Sequence, residues 1–158
     1  MEGMEFWQSA GAGGARGRGE RGHFRLLNTL AGVEIAALTY RIIQAAIEVH
    51  RQLGPGLLEV VYERCFALEL RARGFAVEQQ VRVPIAYKGQ TIGKDLVIDL
   101  IIDGEVIVEV KALTENHPVH QAQLLTYLKL SGLQHGLVIN FGLSKLTDGV
   151  RSVINTQG

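Results

Sequence analysis

Residues 97–112, VIDLIIDGEVIVEVKA, decide the reading of this chain. Val97, Ile98, Leu100, Ile101, Ile102, Val106, Ile107, Val108 and Val110 ask for burial in a sheet, and Asp103-Gly104 marks a hairpin turn between strands at about 95–102 and 105–113. Asp99, Glu109 and Lys111 interrupt the apolar run. Side chains alternate along a strand, so Glu109 and Lys111 share one face while Val108 and Val110 share the other. Loop length decides where Asp99 goes. A two-residue loop at Asp103-Gly104 pairs Asp99 with Val108, on the face away from Glu109. A three-residue loop, such as Ile102-Asp103-Gly104 with Gly104 left-handed, shifts the register by one and brings Asp99 to the side of Glu109.

Convergence of the three would have a chemical purpose. Two carboxylates in a half-buried site cannot both ionise cheaply unless a cation lies between them. Oxygen ligands select a hard divalent ion, Mg²⁺ or Mn²⁺. The Lys111 ammonium, two residues along the same face, can stabilise developing negative charge or orient a water. Acid, acid and lysine around a metal is a phosphodiester-cleaving arrangement. The structural alternative is that Asp99 and Glu109 make strand-end ion pairs with Lys111 and nearby arginines. Asp103 and Glu105 belong to the turn and are expected to be solvated.

Outward from this stretch, the periodicity predicts an α/β chain in the order helix, helix, three strands, helix, strand. Ile35, Leu38, Ile42, Ala46, Val49 and Leu53 recur at helical spacing and give a first helix from about Val33, ended by Gly54-Pro55-Gly56. A second helix begins near Leu57 with Leu58, Val61, Cys65 and Leu68 as its core stripe, and stops at Arg73-Gly74. Glu59, Tyr62, Phe66 and Glu69 take another face. Residues 76–87 read as a strand in which Pro84 argues for an edge. A third helix, about 118–131, carries Val119, Leu124, Leu125 and Leu128 and ends at Gly132; GLVINF, 136–141, is a buried strand. A helix crossing between the third and fourth strands implies a parallel pairing in a mixed four-stranded sheet flanked by helices.

Composition narrows the function classes. Sixteen basic residues balance sixteen acidic ones, so any nucleic-acid site is local rather than a global positive field. Residues 1–30, rich in Gly and Arg, are expected to form a disordered tail before a domain at 31–158; Arg16, Arg18, Arg21 and Arg25 are its candidates for touching phosphates. The single cysteine, Cys65, allows no internal disulfide, and no run reaches the roughly 18 uninterrupted apolar residues of a membrane span. A cytoplasmic protein without membrane association is the expectation. Arg64, Arg71, Arg73, Arg82, Lys88 and Lys94 are scattered candidates for phosphate contact, and His50, His117, His120 and His135 lack metal-ligand spacing.

Asp99, nine intervening residues and then Glu109-Val110-Lys111 resemble the signature of the PD-(D/E)xK nuclease superfamily, with Ile98 in place of the named proline. Gln123 and Tyr127 in QLLTY resemble the QxxxY motif of its RecB-like branch. Gly56, Glu59 and Tyr62 in GLLEVVY match GxxExxY, the motif that names a family of small bacterial proteins assigned to this superfamily. The similarity runs from about Ile35 to Asn155.

That resemblance implies a restriction-endonuclease-like core and a Mg²⁺- or Mn²⁺-dependent deoxyribonuclease, hydrolysing DNA phosphodiester bonds by attack of a water on the metal. It implies Asp99, Glu109 and Glu59 as metal ligands and Lys111 as the residue that positions the water. Gln123 and Tyr127 would close the site. Tyr62 is equally readable as a core aromatic with a satisfied hydroxyl. The alternative function is a non-catalytic nucleic-acid-binding or assembly module that keeps the nuclease fold, since a small neutral domain offers little surface for a duplex without a second copy or a protein partner.

Overall fold

The computed structural model describes residues 18–157, with side chains from residue 29. The chain divides into two units, residues 1–37 and 38–158. Its elements are α1 (Arg18–Leu53), α2 (Glu59–Ala72), β1 (Val77–Tyr87), β2 (Gln90–Ile102), β3 (Val106–Lys111), α3 (Pro118–Ser131), β4 (His135–Asn140), a short 3₁₀ turn (Leu146–Gly149) and β5 (Val150–Ile154). The sheet runs in the order β1-β2-β3-β4-β5, antiparallel except for the β3/β4 pair, which is parallel. The α3 crossover therefore does what the sequence requires of it. A fifth strand replaces the expected four: VRSVI, 150–154, pairs antiparallel with β4 and forms the far edge. Pro84 lies in β1, the other edge strand, where a missing amide donor costs no ladder bond to a further strand.

Helix α1 begins at Arg18, inside the segment expected as a tail, and no proline interrupts it before Leu53. The remainder of that expectation, residues 1–17 with Arg16, lies outside the described residues, as do the side chains of Arg18, Arg21 and Arg25. Although charged residues interrupt it, Thr29–Leu53 is long and apolar enough to cross a membrane by length and composition alone. In the second unit, Ile42, Ala45, Ala46 and Val49 of this helix are buried. That apolar face is thus used inside the domain.

The core stripe of α2 is not the aliphatic one expected. Leu58 and Leu68 are exposed, and the buried face is Tyr62, Glu63, Phe66, Ala67 and Leu70. Tyr62 stacks on Phe141 at 4.9 Å between ring centres, and Phe66 meets the same ring edge-on at 5.7 Å. Aromatic side chains bury more area than leucines and gain from ring geometry, so they take the inner face. On α3, Leu124, Tyr127 and Leu128 are buried with Ile98, Ile101, Ile107 and Val138, whereas Val119 is exposed.

The link between α1 and α2 gives the Gly-x-x-Glu-x-x-Tyr spacing a physical meaning. Gly54 and Gly56 both have positive φ, 66° and 104°, which side-chain-bearing residues rarely adopt. The Tyr62 hydroxyl donates to the Gly54 carbonyl and accepts the Leu57 N–H at 3.1 Å. Tyr62 thus pins the turn that delivers Glu59 as the first residue of α2. Of the two roles open to it, the buried aromatic with a satisfied hydroxyl is the one the geometry supports. Tyr62→Phe is expected to cost about 1–2 kcal/mol in urea unfolding, because two backbone groups lose a buried partner; an unchanged midpoint would remove this role.

Candidate active site

The hairpin has an odd loop, as convergence of the acids requires, but one residue later than anticipated: Asp103, Gly104 and Glu105 connect paired Ile102 and Val106. Asp103 and Gly104 are both left-handed, at φ 52° and 67°. Asp103 is more than a solvated turn residue. Its carboxylate accepts the Ala76 N–H at 2.8 Å and its own N–H donates to the Ala76 carbonyl at 2.8 Å, tying the hairpin to the start of β1.

The pairs Ile102↔Val106, Ile101↔Ile107 and Leu100↔Val108 set Asp99 opposite Glu109, and there the β2/β3 ladder stops. Side chains replace it. The Asp99 carboxylate accepts the Val110 N–H at 2.9 Å, and the Asp99 N–H reaches the Glu109 carboxylate at 3.5 Å. Each acid thereby partners an amide of the opposite strand, which answers why two carboxylates stand in an apolar run: they take over from the backbone where the strands part.

Burial sets their chemistry. Glu109 is 3% exposed, and burial first, then the neighbouring Asp99 carboxylate, pushes its pKa up to about 8. Asp99 is also raised, chiefly by burial, against the opposing pull of the Val110 N–H and Lys111. Lys111, the last residue of β3, places Nζ 4.0 Å from Glu109 Oε2 and 3.9 Å from Glu59 Oε1. One ammonium thus serves two carboxylates from different elements. Tyr127 is buried one layer away, its pKa raised by burial and then by Glu109 and Asp99, and its hydroxyl accepts the Gln123 amide at 2.9 Å. Gln123 reaches the acids through Tyr127.

The structure therefore gathers Asp99, Glu109, Lys111, Glu59 and Tyr127, with Gln123 behind. It does not gather three metal ligands. Among the described residues no group of three His, Cys, Asp or Glu side chains is placed to hold an ion. Glu59, expected as a third ligand, is half-exposed and pairs with Lys111 instead. The donor set that fits is Asp99 with Glu109. It suits Mg²⁺ or Mn²⁺, because Mg²⁺ keeps several waters and is commonly held by one or two carboxylates together with substrate phosphate.

Two residues of the site were not legible beforehand. Gln80 of β1 sits where pairing with β2 skips Asp99, and its φ is 53°. A non-glycine residue there is strained, and such strain persists only where its surroundings hold it. What holds it is Glu63, buried on α2 one turn after Glu59, whose two oxygens each accept the Gln80 amide at 2.9 Å. Gln80 thus joins α2 to the point where β2 carries Asp99. The doublet Gln79-Gln80, which breaks the alternation of VEQQVRV, is the one sequence signal for it. Gln80→Ala is expected to destabilise by about 1–3 kcal/mol as Glu63 loses its main donor. Gln80→Gly, free of the φ penalty, should lose about 1 kcal/mol less in the same urea titration. Equal losses would mean that the backbone there carries no strain.

Two of the scattered bases are held within the domain. Arg71 bonds Gln79 and the Val77 carbonyl, and Arg73 pairs with Glu69. His50 bonds the Leu143 carbonyl. A family model described as the PD-(D/E)XK nuclease superfamily matches residues 36–153, a span that contains every residue of this site. No curated protein and no solved structure matches the chain.

Proposed function

The chain belongs to the PD-(D/E)XK nuclease superfamily, and from that premise we propose that it is a metal-dependent deoxyribonuclease of the GxxExxY family in the RecB-like QxxxY branch. The observation that carries the reading is the facing pair Asp99 and Glu109 with the Lys111 ammonium 4.0 Å from Glu109. Gly56, Glu59 and Tyr62 at the start of α2, and the bonded pair Gln123 and Tyr127 on α3, support the finer placement.

Asp99 and Glu109 would hold the ion, Mg²⁺ or Mn²⁺. Bound there, such an ion supplies positive charge to the phosphate and makes a nucleophile available from water at neutral pH. The chain's own groups do the rest. Lys111 donates hydrogen bonds to the attacking water and to the phosphate oxygens as negative charge gathers on them. Glu59, 3.9 Å from the Lys111 ammonium, helps Glu109 hold it in place. Tyr127, braced by Gln123, walls the acids off from bulk water. The water oxygen forms the new bond to phosphorus as the bridging phosphorus–oxygen bond breaks; the water gives up its proton to solvent, and the departing oxygen takes one from solvent water.

The test is cleavage of end-labelled single- and double-stranded DNA and RNA with Mg²⁺, Mn²⁺ or EDTA, beside Asp99→Ala. The reading requires cutting of DNA that EDTA and Asp99→Ala both abolish. Nucleic-acid binding that is equal for wild type and Asp99→Ala, with no cutting under any condition, would replace it by the non-catalytic binding module.

A further inference from the structure

Lys111 also lines a cavity of about 180 Å³ whose walls include none of Asp99, Glu109 and Glu59. Its polar lining includes Lys111, Asn116, His117, His120, Gln121 and Arg151. All six carry hydrogen-bond donors, and they come from β3, the loop after it, the first turn of α3 and β5. The one carboxylate in the lining, Glu115, is mostly exposed and turned to His117 at 3.5 Å. Arg151 is bonded only to the carbonyls of Asp148 and Val150, and no carboxylate among the described residues pairs with it. Its charge is therefore available to a ligand.

The walls are rigid. Asn140, almost fully buried at the end of β4, accepts the N–H groups of Leu113 and Gly142 at 2.8 and 3.0 Å and donates to the Glu115 carbonyl and Asn116 Oδ1, both at 3.3 Å. A Cβ on Gly142 would lie 2.2 Å from the Leu113 carbonyl oxygen, so the loops on either side of Asn140 are in backbone contact. Asn116 also donates to the Asp148 carbonyl at 2.8 Å, closing the loop onto the 3₁₀ turn before β5. A donor-lined cavity with a fixed wall needs no reorganisation to receive an anion. Its volume is that of about six waters at ~30 Å³ each, which suits one phosphate with part of its sugar and excludes a base pair.

We propose that this cavity is a subsite for one backbone phosphate of a nucleic-acid strand, adjacent to the phosphate under attack, gripped by Arg151, His117, His120 and Gln121. The identity of its ligand rests on the hydrolytic reading above. Lys111 is shared between the two positions and sets the strand's register: one phosphate in the cavity fixes which neighbour faces Asp99 and Glu109. The histidines, whose spacing along the sequence promised no metal, act here as donors. His117 and His120, both in its lining, lie edge-to-face with ring centres 6.1 Å apart.

The experiment follows the ring ¹H–¹³C NMR signals of His117 and His120 in the full metal-free chain during titration with inorganic phosphate and, separately, with trithymidylate. Chloride at matched ionic strength is the control. The expected result is saturable movement of both rings by phosphate, by trithymidylate at a concentration at least about tenfold lower, and weakening of about tenfold in Arg151→Ala. His117→Ala, an exposed helix cap without a side-chain capping bond, is a second variant in which His120 alone reports. Movement equal to that with chloride, undiminished affinity in Arg151→Ala, or phosphate bound as well as trithymidylate would each overturn the proposal. Metal and turnover take no part in this titration, so a chain that binds the strand here and fails to cut refutes the nuclease and leaves the subsite. One that cuts without binding here refutes the subsite alone.

Discussion

Lys111→Ala is expected to lower the single-turnover rate of DNA cleavage by about 10³-fold while leaving the fold and the uptake of Mn²⁺ intact. The effect comes from where the ammonium stands. Lys111 ends a buried strand, its side chain is only 17% exposed, and its ammonium lies within 4.0 Å of carboxylates from α2 and β3. A preorganised charge aimed at the place where negative charge develops is the kind of group whose loss falls chiefly on the rate, and its share in the neighbouring cavity adds a smaller loss of substrate affinity. Lys111→Arg should recover little of it, since a planar guanidinium cannot occupy the space of a compact ammonium between Glu59 and Glu109. A rate within threefold of wild type for Lys111→Ala would take Lys111 out of the chemistry and leave it as a counter-ion.

The metal-free chain should lose stability as pH rises from about 4.5 to 8, by on the order of 3 kcal/mol. The sign follows from Glu109, whose pKa is 4.5 when unfolded and about 8 when folded. Across that interval the folded chain holds a proton that the unfolded chain has released. The stability it contributes is complete below 4.5 and is lost as pH approaches 8. Asp99, also raised, acts in the same direction. Glu48, held near 2 by Arg51 and then Gln52, acts in the opposite direction only at the low end of this window, where its unfolded form still binds a proton, and is ionised in both states above about pH 5.5. A divalent ion should reverse the trend, because it binds the deprotonated carboxylates and binds better as they are freed of protons. Urea unfolding in EDTA between pH 5 and 9 reads the effect, and Glu109→Gln should flatten most of it. A profile that is flat or rises with pH in the wild type would mean that Glu109 is ionised in the folded chain.

The sheet was legible because its strands announce themselves by apolar run and turn chemistry, and because one helix between β3 and β4 leaves only a parallel pairing. The site was legible for the same reason: an acid opposite an acid follows from strand alternation once the loop length is odd. β5 was missed because VRSVI is short, half polar and follows a stretch without periodicity. The α2 face was misread because leucines and aromatics occupy neighbouring stripes, and only tertiary packing on Phe141 decides between them. Glu59 fits the sequence pattern yet stands with Lys111, a choice set by where the Gly54 turn places the start of α2. Gln80 could not be read at all, since its left-handed backbone depends on Glu63, seventeen residues away on another element.

The central claim is that Asp99 and Glu109 face each other in order to share a divalent ion, and titration calorimetry of Mn²⁺ into the EDTA-stripped chain at pH 7 tests it most directly. The account predicts one site per chain, lost in Asp99→Ala and in Glu109→Ala but retained in Glu59→Ala. Repeating the titration in buffers of different ionisation heat should show about one proton released per ion bound, since Glu109 is protonated at that pH. Mn²⁺ uptake that survives both substitutions, or no uptake by the wild type, would contradict it and leave the two acids as replacements for a broken ladder.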